Sequence, residues 1–439
     1  MNIFLGVGIK LILVLSFVVA NGLVMANNAQ AQRLVGEIGG GQIRGIPIAV
    51  VPFKTIEPLE HQLNEVIDVD LRASGRFEPM DQSNFMSFPS SDEQVRYKDW
   101  RLVGAEALVI GDIWRLDGGL YEVRFHIYDV AREQQIGTGK RIPNLRKEDL
   151  RTAGHIISDH VYEAFTGRSG AFNSRIAYIK RSEVEFQRYR YQLMVADWDG
   201  YGAQEVYGSW SPLLSPSWSP DGSKLAFVSF ADRGSVIQIL QLNTGSAEVV
   251  ASYKGVNSAP AWSPDGNRLA YSTSRHGSPD VYIYDVTTRQ HNRISSHYGI
   301  DTEPAWSSDG RSLLFTSNRT GRPQIYSIDL GSNQAERVTF EGKDNANASY
   351  DFEDKRIVLV HEGGQIAVMN EENGKITMLT NAKFDESPSF SPNGDMVLYA
   401  GEDRYESALM VASSDGRIRT RLELVTGDVR EPAWSPLKN

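Results

Sequence analysis

The sequence predicts an α+β N-terminal domain followed by an all-β, six-bladed β-propeller of WD40-like repeats, on three observations. First, a Pro-x-aromatic-Ser element recurs, degraded in its fourth copy. Its aromatic falls at Trp218, Trp262, Trp306, Tyr350, Phe390 and Trp434, at intervals of 44, 44, 44, 40 and 44 residues. Second, each of the first five copies is followed by a turn and three short apolar runs of strand length. Third, the last copy, at 431–435, has no strands after it, while residues 176–180, 191–197 and 204–207 offer three strands with no copy before them. Joining those two chain ends closes the ring and removes an exposed sheet edge.

Taken in order, residues 1–31 read as a secretory signal peptide. Lys10 precedes the apolar run 11–20, and Ala29-Gln30-Ala31 gives a small-x-small cleavage pattern, so the mature chain is expected to begin at Gln32. Residues 32–45, QRLVGEIGGGQIRG, place Leu34, Val35, Ile38 and Ile43 around three consecutive glycines. That pattern suits either a frayed terminus or a flexible partner-binding peptide that adds to a sheet edge.

Residues 46–166 lack the repeat and read as a mixed α/β domain. Strands are expected at 46–53, 76–80, 107–114, 121–130 and 134–141, and a short helix at 98–105. Leu59, Leu63, Val66, Ile67 and Leu71 share one face of a first helix, and Ala153, Ile156, Ile157, Val161 and Phe165 share one face of a last helix at 150–165. A Gly- and Ser-rich linker leads into the propeller, 167–439. There, each Pro is expected to precede a short first strand, where its missing N–H matters least. Ser-Pro-Asp-Gly at 219–222 and 263–266 suits a type I turn, and Asp351-Phe352-Glu353-Asp354 in the fourth repeat is expected to turn differently. The tryptophans of the repeat are expected to wedge between blades.

No catalytic constellation emerges. There is no Gly-x-Ser-x-Gly elbow, the eight His residues are scattered, and His361-Glu362 lacks a second His at zinc-helix spacing. The chain has no Cys, hence no disulfide framework and no lipidation cysteine. A formal charge of −10 argues against nucleic-acid binding, and no direct membrane insertion is expected.

Acidic residues do collect in the loops ahead of the first strands, which a ring would gather at one mouth. Asn257, Ala259, Asp301, Thr302, Glu303, Asp385, Glu386, Asp428, Arg430 and Glu431 are the candidate mouth residues. Such a mouth suits a protein partner. A weak site for a hard cation such as Ca2+ is the one cofactor it leaves open. A propeller hydrolase and a small-ligand or sugar-binding sensor stay as alternatives, because the fold hosts many functions.

The chain resembles the TolB family, periplasmic propeller proteins of the Tol-Pal system. The resemblance rests on the signal peptide, Pro-Ile-Ala-Val-Val-Pro-Phe at 47–53, Ser74-Gly75-Arg76-Phe77, the Trp-Ser-Pro-Asp-Gly repeats, Thr320-Gly321-Arg322-Pro323-Gln324-Ile325-Tyr326, and Glu431-Pro432-Ala433-Trp434-Ser435-Pro436. It implies a monomeric, non-enzymatic adaptor of the periplasm serving outer-membrane integrity and constriction in cell division. The propeller mouth would bind the peptidoglycan-associated lipoprotein Pal, with Thr302 and Glu303 keeping the family's Thr-Glu-Pro. The mature N-terminal segment, through Arg33, Leu34, Val35, Glu37, Ile38 and Ile43, would bind the C-terminal domain of TolA. Colicins exploit the same system.

Overall fold

The computed structural model describes residues 44–231, 234–403 and 406–438. The expected signal peptide and most of the N-terminal segment, including Arg33, Leu34, Val35, Glu37, Ile38 and Ile43, lie outside them.

The α/β lobe is built on a mixed sheet of β1 (Ile46–Val50), β2 (Phe77–Pro79), β3 (Ala107–Arg115), β4 (Tyr121–Asp129), β5 (Gln134–Gln135) and β6 (Lys140–Leu145). The order is β2-β1-β3-β4-β5, with β6 also on β4; β1 runs parallel to β2 and β3, and the remaining pairs are antiparallel. The single strand expected at 134–141 is thus two. Gly137, at φ 69°, lies in the break between them. Helix α1 (Leu63–Ala73) buries Leu63, Val66, Ile67 and Leu71 as predicted, and α3 (Leu150–Thr166) buries Ala153, Ile157 and Val161 but only half-buries Ile156 and Phe165, whereas the short helix α2 is Tyr97–Leu102. Leu59 precedes α1 but still packs on its core.

Six four-stranded sheets follow. Blades one to five occupy 213–251, 257–293, 301–337, 345–378 and 386–421. Blade six joins the C-terminal strand Asp428–Trp434 to Arg175–Glu185, Arg188–Asp197 and Gln204–Ser209, so the ring closes as expected. The second and third strands of each blade are largely apolar runs because each sheet is covered on both faces by its neighbours. The repeat tryptophans are wedges in this packing. Trp218 Nε1 donates to Ala433 O at 3.2 Å and Trp306 Nε1 to Ala261 O at 3.0 Å, each reaching the preceding blade.

Two expectations about the repeat are corrected. The Pro does not precede its strand but lies inside it, buried, at a register shift in the pairing with the second strand, as at Thr302/Ala305. An innermost strand has a free edge along the channel, and edges and bulges are where a sheet tolerates Pro. The fourth repeat makes the same turn as its neighbours. Asp354 N–H donates to Asp351 O at 3.1 Å, as Gly222 does to Ser219 O at 2.9 Å. Asp354 adopts φ 55°, close to the 65° of Gly222, and Asp351 Oδ1 accepts the Arg356 N–H as Ser219 Oγ accepts that of Lys224.

The lobe packs on the turn end of blades five and six, and one hydrophobic cluster runs from Ile48 and Leu71 through Phe172 to Leu398 and Trp434. The segment read as a linker is pinned: Ala171 and Phe172 are buried, and Asp159 accepts the N–H groups of Phe172 (2.7 Å) and Asn173 (3.1 Å). Tyr162 Oη and Arg168 both donate to Asp395, at 2.7 and 2.8 Å. On α3, His155 donates from Nδ1 to Asp70, whose Oδ1 also accepts from Trp198 Nε1 at 2.9 Å. A packing role for His155 follows.

Candidate functional site

At the opposite end the inner strands start, and every one carries the same irregularity. Ser215, Ala259, Glu303, Asn347, Ser387 and Glu431 all adopt φ between 49° and 55°. A left-handed conformation at a non-glycine residue costs on the order of 1 kcal/mol or more, so its recurrence in all six blades marks a constrained ring. These residues line a central cavity of about 660 Å³.

Two of the six are glutamates, on blades three and six, facing each other across the ring. Glu303 Oε2 accepts from Thr316 Oγ1 at 2.7 Å and from the Asn347 N–H at 2.8 Å. Glu431 Oε2 accepts from the Ser215 N–H at 3.3 Å, with Ser387 Oγ at 3.5 Å. Each carboxylate therefore spans from its own bulge to that of the following blade. Desolvation in the channel wall pushes the Glu431 carboxyl up to about 7, with the charges of Glu386 and Glu303 adding to it. Glu386, exposed and one residue ahead of the ring, is likewise raised by desolvation. Arg430 is exposed at the rim and pairs with Asp428 at 3.1 Å, while Thr302 and Ala259 line the channel.

Three predicted mouth residues are not presented there. Asn257, Asp301 and Asp385 stand two positions before the ring and are buried inside their blades. Asn257 Nδ2 donates to Ser235 O and Tyr253 O, both at 2.7 Å. Asp301 accepts from Ser317 Oγ at 2.6 Å and from Arg319 at 2.9 Å. Both therefore tie the loop to the blade and cannot touch a partner. Asp385 has its Oδ2 buried without a partner, and burial raises its carboxyl.

Sequence reasoning missed the apolar part of the rim. Val256, Tyr298, Ile300, Phe340 and Phe384 are all exposed in the loops leading into blades two to five, Tyr298 by 83%. Large apolar residues within otherwise polar loops were the signal available. Among the described residues no three His, Cys, Asp or Glu side chains converge on a metal position. The described helices also include none long and apolar enough to cross a membrane.

Comparison with known proteins gives a consistent picture. The family described as TolB amino-terminal domain matches residues 35–136, and the one described as TolB beta propeller domain matches residues 162–438. A Tol-Pal system protein TolB of Nitrosococcus oceani is 52% identical over 91% of this chain and 93% of its own length. One from Xylella fastidiosa is 48% identical over 93% and 94%. The crystal structure of TolB from Acinetobacter baumannii superposes with a TM-score of 0.82 at 38% identity, covering 92% of this chain and all of that one.

Proposed function

The chain belongs to the TolB family, and from that premise we propose that it is a non-catalytic periplasmic adaptor of the Tol-Pal system. It holds the peptidoglycan-associated lipoprotein Pal on the open end of its propeller and engages TolA through the mature N-terminal segment. In that role it supports outer-membrane integrity and constriction in division.

The observation that carries the reading is the asymmetry of the two propeller ends. One end carries the α/β lobe on blades five and six. The other combines an acidic channel with exposed apolar rim residues, which is the composition of a protein-binding surface rather than of a solvated loop cluster. A channel of about 660 Å³ also lies in the size range of small-ligand pockets, so a basic small molecule or sugar is the second reading.

Calorimetric titration of the protein starting at Gln32 with the soluble domain of Pal tests the first reading. Saturable one-to-one binding is expected, and Glu303→Lys should weaken it by roughly 30-fold or more, since reversing a buried interface charge costs about 2–5 kcal/mol. An unchanged far-UV spectrum would confirm that the ring is intact. Absence of heat, together with absence of complex in sedimentation, would sink the assignment and turn attention to ligands of the channel.

A further inference from the structure

We propose that the hairpin of blade six, with Val184 and Phe186 at its tip and Trp210 at its foot, is an apolar wall that fixes the orientation of the mouth's protein partner. The inference rests on reading the mouth as a protein-binding surface.

The repeated backbone bulge alone does not specify an orientation. All six inner strands carry the same bulge, so the ring offers a partner near-equivalent positions every sixth of a turn. Orientation has to come from whatever differs between blades, and the largest difference is this hairpin. Its strands, Arg175–Glu185 and Arg188–Asp197, have 11 and 10 residues, against six each for Arg268–Thr273 and Asp280–Asp285 of blade two. Asp428, which opens the inner strand, pairs with Arg181, and the ladder continues past it to Glu185↔Arg188. At about 3.3 Å per residue this raises a wall on the order of 13 Å above the inner strand.

The wall carries exposed apolar side chains among the exposed polar residues Glu183, Glu185, Gln187 and Arg188. Phe186 is 89% exposed, Val184 53% and Trp210 54%, and Arg188 lies over the Trp210 ring at 4.2 Å. Its charges are balanced locally: Arg181 pairs with Asp428, Arg188 with Glu185 and Arg190 with Glu205. A surface so neutralised offers little to an anionic partner such as nucleic acid or an acidic bilayer. It suits an apolar protein flank. A stable complex buries roughly 800 Å² per partner, and a domain covering that much of the rim while reaching Glu303 and Glu431 cannot avoid a wall standing at its edge. The partner is therefore a folded domain that presents a basic or polar tip to the channel beside an apolar flank for the hairpin.

The test is the affinity of the soluble Pal domain for a Val184→Ser, Phe186→Ser double variant, beside the wild type and Glu303→Lys. The double variant should bind at least tenfold more weakly, mainly through faster dissociation, with its melting temperature unchanged because both side chains are solvent-exposed. Affinity within twofold of wild type, while Glu303→Lys still weakens binding, would overturn the wall and leave the mouth reading standing. No binding by the wild type would remove both. A wild-type dimer in sedimentation that the double variant abolishes, at unchanged Pal affinity, would assign the hairpin to a second copy and also overturn the proposal.

Discussion

Glu431→Gln puts the electrostatics of the channel to a quantitative test. The Glu431 carboxyl is raised from an ordinary 4.5 to about 7, by desolvation first and then by Glu386 and Glu303. The folded protein therefore holds this proton more tightly than the unfolded chain does. The contribution is fully present below the unfolded value, near 4.5, and is lost as pH rises toward 7. At about 1.36 kcal/mol per unit, the loss above pH 7 amounts to roughly 3 kcal/mol. Gln keeps the shape, can still accept the Ser215 N–H, and never ionises. Wild type and variant should thus melt together near pH 5 and separate progressively. By pH 8 the variant should melt about 6 °C higher, taking about 2 °C per kcal/mol for a domain of this size.

Scanning calorimetry at half-unit steps from pH 5 to 8.5 reads this directly. A gap that does not grow with pH, or a variant less stable than wild type at pH 8, would refute the argument that the channel desolvates this carboxylate. A carboxylate kept where it destabilises the ring is a mark of a functional site.

Asp301→Asn and Asp385→Asn occupy the same position in two blades and should differ in sign. Asp301 loses its ion pair with Arg319 and should cost about 2–4 kcal/mol in urea unfolding. At Asp385 the register places Gly401 where Ser317 stands and Asp403 where Arg319 stands, and the Thr380 hydrogen bond and the Arg419 charge only partly offset its burial. Its raised carboxyl makes the charged form unfavourable as pH rises, so Asp385→Asn should be at least as stable as wild type at pH 8 and relatively less favourable at low pH. Trp434→Ala, which removes the stack on Trp198 and the 2.8 Å bond from Nε1 to Ser174 Oγ, should cost about 3–5 kcal/mol in guanidinium melts by loosening the strand that closes the ring.

The blade repeat and its closure were legible because they are written in periodicity: a fixed interval, alternating apolar runs, and a first strand stranded at one chain end. The bulge was not. Ser215, Ala259, Glu303, Asn347, Ser387 and Glu431 share a backbone conformation but no side-chain type, so no pattern of residues announces it. That gap explains the mixed outcome at the mouth. The acidic loops were visible, but whether an acid faces the channel or the blade interior depends on its position relative to the bulge. Glu303 and Glu431 are at the bulge, whereas Asp301 and Asp385, two residues earlier, turn inward. The joint between lobe and propeller was equally hidden, because its contacts, such as Tyr162 to Asp395, join residues far apart in sequence that no local rule connects.

The most direct test of the central claim is amide hydrogen exchange, read by mass spectrometry, with and without the soluble Pal domain. The account predicts slowed exchange at the open end, in 298–304, 340–347, 384–388 and 428–431, and at the blade-six hairpin, 182–190. Slowed exchange confined to the α/β lobe or to the turns at 219–222, 263–266 and 307–310, with the mouth unaffected, would contradict it.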